Sequence, residues 1–254
     1  MSSITNEHTQ RWKTAALLLL LIAAVGVIDI PALTWLFFGA VYFLALKEAM
    51  QLFRVADSSL YLYAAGIWIL APFYPHPSDL AFAATLIQGG ILAYRRRLEI
   101  RSLFPILYPT VGMLFLWMLY REYGMLSLLW ILVIVALTDV GAYYTGRKLG
   151  KTPFCPTSPK KTLEGVFGGI ALGTLGGFLL MIGHQNLFFG ALFVAFLTSV
   201  ASVFGDLFES YLKREAGVKD SGTLLPGHGG VLDRIDGYLY AAVALYVLLK
   251  LTGS

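Results

Sequence analysis

The chain has 254 residues, of which 57% are hydrophobic and only 13% are charged, and its formal net charge is +4. Soluble domains contain roughly 45 to 50% apolar residues, so this composition predicts an integral membrane protein. The basic residues border apolar runs and form no continuous basic surface, which excludes nucleic acid as an expected partner. The single cysteine, Cys155, excludes an internal disulfide.

The apolar residues are concentrated in runs that could cross about 30 Å of hydrocarbon, which takes about 17 to 25 helical residues. These runs cover residues 14–30, 31–50, 60–74, 79–94, 103–120, 124–146, 165–183, 187–204 and 237–252. We therefore predict an all-α, polytopic membrane helix bundle with about nine transmembrane helices, whose cytoplasmic polar loops form the site. No long polar linker divides the chain, so residues 1–254 should form a single membrane domain, with variable N-terminal helices over 1–123 and catalytic helices and loops over 124–254.

The basic residues alternate between the two sides of the predicted bundle. All 19 Lys and Arg except Arg121 and Lys250 lie in the N-terminus or in every second loop. The basic loops are at residues 47–54, 95–101, 147–161 and 213–234, and the intervening turns, at residues 29, 74–77 and 183–186, carry neither Lys nor Arg. By the positive-inside rule, the N-terminus and the basic loops should face the cytoplasm.

Residues 205–237 hold an unusual density of ionisable groups between two apolar runs. If this segment starts as a helix, one face carries Asp206, Ser210, Lys213 and Arg214. The turn at residues 226–230 cannot continue a helix, and Gly229 and Gly230 would let backbone N–H groups approach an anion. Asp233 and Asp236 follow, three residues apart, at the start of the next helix. Carboxylates, cations and an anion-binding turn together predict a metal ion that holds a polyphosphate.

A second polar cluster begins inside the run at 124–146, at Asp139. A carboxylate at membrane depth is costly and is usually paired or lines a wet cavity. Asp139 could pair with Arg147 or belong to a functional site, and both interpretations stay open. Lys160 and Lys161 follow in the loop at 158–165, where they either set the topology or bind substrate.

The seventh apolar run carries glycines at four-residue spacing: Gly165, Gly169, Gly173 and Gly177. Such a ladder predicts a helix that packs closely against its neighbours.

The polar segments resemble a known family. The signature consists of Ser210-x-Leu212-Lys213-Arg214, then Lys219-Asp220-x-Gly222, then Leu225-Pro226-x-His228-Gly229-Gly230-Val231-x-Asp233-Arg234-Ile235-Asp236. It resembles that of the phosphatidate cytidylyltransferases, also called CDP-diacylglycerol synthases. Asp139 with Ala142-Tyr143 and the run at 158–165 resemble further elements of the same family. The resemblance covers residues 130–245 and leaves the first hundred residues unmatched.

The resemblance implies an enzyme that transfers CMP from CTP to phosphatidic acid and releases CDP-diacylglycerol and pyrophosphate. Its cofactor would be Mg²⁺, and its partners would be CTP, phosphatidic acid and the lipid bilayer, with the choice between a monomer and a homodimer open. The protein would lie in a bacterial cytoplasmic (inner) membrane, with the active site facing the cytoplasm and the N-terminus inside.

The expected roles follow from the charges and their positions. The metal ligands would be Asp206 and Asp233, each at a junction between a loop and a helix. The catalytic group would comprise Lys213, Arg214, Lys219, His228, Arg234 and Asp236. The substrate-binding group would comprise Asp139, Lys160, Lys161, Thr162, Glu164, Ser210, Asp220, Gly229 and Gly230.

Two other functions compete with this one. An ion-coupled transporter could use Asp139, Asp206 and Asp233 to bind its coupling ion. A CTP-dependent membrane lipid kinase of the polyprenol or phytol type would instead transfer the γ-phosphate of CTP.

Overall fold

The computed structural model describes residues 2–96, 100–183 and 188–253, with side chains from Trp12 onward. Residue 97 and the turn at 184–186, which the topology prediction used, lie outside these ranges. The chain divides into two compact units. The first unit comprises Met1–Trp117 and Glu215–Ile235, and the second comprises Met118–Arg214 and Asp236–Ser254.

Helices make up most of the described chain. In order, the elements are α1 (Ser2–Ile28), α2 (Pro31–Leu52), α3 (Ser59–Leu70), α4 (Ser78–Tyr94), a 3₁₀ turn (Ile100–Leu103), α5 (Phe104–Leu107), α6 (Thr110–Leu149), β1 (Pro153–Cys155), β2 (Ser158–Thr162), α7 (Leu163–Met181), α8 (Phe188–Ala216) and α9 (Leu232–Thr252).

The structure supports a helical membrane protein, but it does not support the count of nine spans. By length and composition, five described helical stretches could cross a membrane: Pro31–Leu52, Ile100–Leu149, Leu163–Met181, Phe188–Ala216 and Leu232–Thr252. The run at 124–146 and most of the run at 103–120 lie in α6, which consists of two helices that meet at Gly124, whose φ of 72° and ψ of −173° are not helical, so these two runs are separate as predicted. The runs at 60–74 and 79–94 form helices of only 12 and 17 residues.

A short β-hairpin, which sequence analysis did not predict, adds to the predicted helical bundle. Strands β1 and β2 pair antiparallel, with Pro153 opposite Thr162 and Cys155 opposite Ser158. The hairpin escaped sequence analysis because β2 reads Ser-Pro-Lys-Lys-Thr, which has neither the apolar alternation nor the β-branched content of a typical strand.

Close packing around α7 organises the second unit and confirms the prediction from the glycine ladder. All four ladder glycines are buried. A Cβ added to Gly169 would lie 2.5 Å from the carbonyl oxygen of Thr138 on α6, and one added to Gly177 would lie 2.9 Å from Ala195 on α8. The hydroxyls of Thr138 and Ser199 also bond across α6 and α8 at 2.7 Å. The missing side chains therefore let three helices approach at backbone distance.

The two basic residues that departed from the alternating charge pattern share one acidic neighbour. Lys250 Nζ lies 2.6 Å from one oxygen of Glu122, and Arg121 lies 3.8 Å from the other. Tyr246 donates a third contact to Glu122 at 2.8 Å. The carboxylate offsets part of the positive charge, which explains why these cations need not follow the general pattern.

In the first unit, Asp57 stabilises the start of α3. One of its oxygens accepts hydrogen bonds from the hydroxyl of Ser59 at 2.6 Å and from the backbone N–H of Ser59 at 3.0 Å. These bonds, led by the one from the hydroxyl, hold the pKa of Asp57 below its ordinary value.

Candidate active site

The loop between α8 and α9 belongs to the first unit and is built on a tight turn. Leu225, Pro226, Gly227 and His228 form a β-turn in which His228 N–H donates to Leu225 C=O at 2.8 Å. Pro226 favours the first central position, and Gly227, with φ 76°, takes the second, which requires positive φ. The predicted break in the helix is therefore confirmed.

Asp233 closes this loop onto the start of α9. One of its oxygens accepts from the N–H of Gly230 at 2.7 Å, from the N–H of Ser221 at 2.9 Å and from the hydroxyl of Ser221 at 3.0 Å. A Cβ on Gly229 would lie 2.5 Å from the same oxygen, and the φ of Gly229 is +79°. Gly229 therefore makes room for Asp233. The N–H of Gly230, which was predicted to approach a substrate anion, donates to the Asp233 carboxylate instead.

Glu48 on α2 is a second carboxylate at this loop, and sequence analysis missed it. Its side chain is buried, with the residue only 5% exposed. It accepts from the N–H of Val231 at 2.9 Å and from the N–H of Leu232 at 2.7 Å, and it lies 2.9 Å from the hydroxyl of Ser221, whose single proton it shares with Asp233. The available signal was a lone carboxylate in the apolar run at 31–50, the same signal that drew attention to Asp139.

A cleft of about 310 Å³ opens in the same loop. Its polar lining includes Lys219, Asp220, Thr223, His228 and Arg234. Arg234 Nε donates to the carbonyl of His228 at 3.0 Å, which ties the arginine to the turn. With Gly229, which also lines the cleft, four of these residues make five predicted site residues around one cleft, and its two cations, Lys219 and Arg234, suit an anionic ligand.

In the second unit, Asp206 of α8 forms an ion pair with Lys161 of β2. The Ser210 hydroxyl, one helical turn along, donates to the other oxygen of Asp206 at 3.4 Å. The predicted shared face of Asp206 and Ser210 is therefore confirmed. The hairpin brings Lys161 to α8 across 45 residues of sequence, a contact that spacing alone did not indicate.

More charges of the second unit gather where α8 and α9 meet. A Cβ on Gly205 would lie 2.5 Å from the carbonyl oxygen of Asp236, so the two backbones are in contact there. Asp236 interacts electrostatically with Asp206, Lys213 and Asp139. Lys213 also pairs with the fully buried Glu209, which sequence analysis left without a role.

Two predicted substrate-binding residues have local structural partners. Thr162 caps α7, because its hydroxyl accepts from the N–H of Gly165 at 3.2 Å. Glu164 accepts from the N–H groups of Lys151 and Thr152 at 3.1 and 3.2 Å and from the hydroxyl of Thr152 at 2.9 Å. Both residues hold the hairpin against α7, and their roles toward substrate stay predictions.

Lys160 and Arg214 are exposed side chains of the second unit. Within the described ranges, no group of three or more His, Cys, Asp or Glu is placed to hold a metal ion. Such a group is not required for Mg²⁺, which typically takes one or two carboxylates together with substrate phosphates.

Comparison with known proteins connects these observations to an activity. The profile of the cytidylyltransferase family matches residues 9–252. A phosphatidate cytidylyltransferase of Helicobacter pylori (strain ATCC 700392 / 26695) is 43% identical over 245 residues, which cover 96% of this chain and 92% of the relative. Phosphatidate cytidylyltransferases of Thermotoga maritima and Brucella suis biovar 1 are 42% and 44% identical over 154 and 130 residues. These alignments cover 58% and 50% of this chain, and 57% and 48% of the relatives.

The match runs through both units and includes residues 9–100, which the sequence signature left unmatched. The chain therefore belongs to the cytidylyltransferase family.

Proposed function

We propose that the protein transfers CMP from CTP to phosphatidic acid and so produces CDP-diacylglycerol and pyrophosphate. The observation that carries this proposal is the 43% identity to the Helicobacter pylori enzyme along nearly the whole of both chains. That extent favours cytidylyl transfer over an ion-coupled transporter and over a CTP-dependent lipid kinase.

The charges of both units suit this chemistry. An oxygen of the phosphatidate phosphate attacks the α-phosphorus of CTP, and the bond from that phosphorus to the bridging oxygen of the β-phosphate breaks. Both reactants are anions, so catalysis depends mainly on positioning and on neutralising charge. Lys161 and Lys213 supply cations in the second unit, and Lys219 and Arg234 supply them in the first. The nucleophile is already ionised, so no general base is needed.

Mg²⁺ is the proposed cofactor. In the second unit, Asp206 and the Ser210 hydroxyl provide the hard oxygen ligands that Mg²⁺ prefers, and Asp236 lies close enough to interact electrostatically with Asp206. Asp233 remains a proposed ligand in the first unit, although one of its oxygens already accepts three hydrogen bonds. When bound, the ion would neutralise phosphate charge and orient the nucleotide.

The proposed setting is a bacterial inner membrane, with the N-terminus and the reactive loops in the cytoplasm, where CTP is found. The alternating basic loops support this orientation. The pairing of Arg121 and Lys250 with Glu122 supports it too, because it accounts for both exceptions.

The proposal is tested by incubating the detergent-purified protein with phosphatidic acid, labelled CTP and Mg²⁺. CDP-diacylglycerol and pyrophosphate are expected, whereas a lipid kinase would release CDP. Asp206→Asn and Asp233→Asn should each lower the rate by about 10²- to 10³-fold without loss of folding. Asp79→Asn, at an exposed residue of α4, is the matched control and should keep the parent rate. Release of CDP would refute cytidylyl transfer, and a fully active Asp206→Asn or Asp233→Asn would refute that residue as a ligand.

A further inference from the structure

The start of α9 depends on a distant side chain. The first N–H groups of a helix have no acceptor within the helix and are usually capped by Ser, Thr, Asp or Asn just before it. Val231 occupies that place and has no side-chain acceptor. Glu48, 183 residues earlier in the sequence, accepts the Val231 N–H with one oxygen and the Leu232 N–H with the other.

Hydrogen bonds and close packing both hold the Glu48 carboxylate against the loop. Burying a carboxylate is costly unless it is well hydrogen-bonded, and the two backbone N–H groups, with the shared hydroxyl of Ser221, meet this requirement. A Cβ on Gly222 would lie 2.5 Å from one oxygen of Glu48, and a Cβ on Gly230 would lie 2.6 Å from its carboxyl carbon. Two glycines of the signature therefore leave room for the Glu48 carboxylate.

The bonds of Glu48 extend to the charged groups of the cleft. The hydroxyl of Ser221 lies 2.9 Å from Glu48 and 3.0 Å from Asp233, so it joins the two carboxylates. Asp220 precedes Ser221, and Arg234 follows Asp233, so both flank residues in this network. The shape of the cleft thus depends on a residue of α2.

We propose that Glu48 is a positioning residue for cytidylyl transfer, which holds the loop of residues 219–234 in the shape that binds the phosphates of CTP. This inference rests on the proposed function. Glu48 does not line the cleft, and it acts through Ser221, Val231 and Leu232. A misplacement of about 1 Å at a reacting centre can cost about 10²-fold in rate, so a small shift of the loop should be measurable.

The first test compares Glu48→Gln with Gln51→Ala, an exposed residue of the same helix. The glutamine amide would turn a donor toward backbone N–H groups, so kcat/KM should fall by about 10- to 100-fold, with a higher KM for CTP. A mere loss of folded protein would lower the maximal rate and leave KM unchanged. Hydrogen exchange at Val231 and Leu232 should also become about tenfold faster while exchange in the core of α9 stays slow. Gln51→Ala should match the parent in all these measurements.

The second test changes Gly222, the residue that faces the Glu48 carboxylate across the same contact. Gly222→Ala pushes its Cβ into the Glu48 carboxylate and should also raise the KM for CTP, which keeps the inference testable if Glu48→Gln does not fold. In Glu48→Ala the space is open, so adding Gly222→Ala should cause little further loss.

The outcomes separate the two proposals. An active parent with an equally active Glu48→Gln, or fully additive effects of Glu48→Ala and Gly222→Ala, would overturn the positioning role alone. A parent that makes no CDP-diacylglycerol would overturn the proposed function, and the positioning role with it.

Discussion

Gly173 is a buried glycine of α7 at which a single added carbon atom would disturb the helix packing of the second unit. A Cβ there would lie 2.8 Å from Ser199 Oγ and 2.9 Å from the carbonyl oxygen of Ile134, and closer still to Thr138 Oγ1, whereas ordinary contact begins at 3.4 Å. Ser199 and Ile134 would have to withdraw by roughly half an ångström, and Thr138 by more than that, in a closely packed interior. Thr138 is β-branched and its side chain is stiff, so it cannot simply swing away.

The expected cost of Gly173→Ala follows from these contacts. Overpacking costs about 1 to 3 kcal/mol. The bond between Thr138 and Ser199 would be strained, and such bonds in membrane proteins are worth about 0.6 kcal/mol on average. The higher helix propensity of alanine returns up to about 1 kcal/mol. The net loss of about 1 to 3 kcal/mol should lower the melting temperature by roughly 3 to 10 °C.

Thermal unfolding in detergent, followed by intrinsic fluorescence, measures this difference. Gly90→Ala on α4 is the matched control, because a Cβ there meets nothing within 4 Å, so the melting temperature should stay the same or rise slightly. Thr138→Ala removes the nearest atom, so Thr138→Ala with Gly173→Ala should lose less stability than the two losses added together. A Gly173→Ala protein as stable as its parent would refute close helix contact at this glycine.

Three further predictions concern pH, the hairpin and the metal. The pKa of Asp57 lies below its ordinary value, so its contribution to stability should be complete above roughly pH 4 and be lost as pH falls through the lowered pKa. As pH is lowered through this range, the melting temperature of Asp57→Asn should fall less steeply than that of the parent. Equal slopes of melting temperature against pH would contradict this. Glu164→Gln should lower activity by about tenfold, because the bonds that hold the hairpin carrying Lys161 weaken; an unchanged rate would separate the hairpin from catalysis. Removal of divalent cations by EDTA should abolish turnover and added Mg²⁺ should restore it, whereas activity in EDTA would exclude the proposed cofactor.

Much of the fold and of the site could be predicted because the relevant physics is local. Composition alone predicted a membrane protein, and four-residue spacing alone predicted the tight packing of α7. The single turn of helix between Asp206 and Ser210 was sufficient to place both on one face. The proline and glycines at residues 226–230 could only form a turn, and the spaced signature pointed to the family that the comparison established.

The tertiary structure decided what depends on residues far apart in the sequence. No spacing rule connects Lys161 with Asp206 or Glu48 with the loop before α9, because such pairs form only when separate elements pack together. Apolar runs also did not give the number of spans, because they show where a helix could cross a membrane but not how long that helix is: the runs at 60–74 and 79–94 form helices of only 12 and 17 residues. Sequence thus determined which groups are present and their local conformation, and packing determined which of them meet, since contact depends on position in space and not on order along the chain.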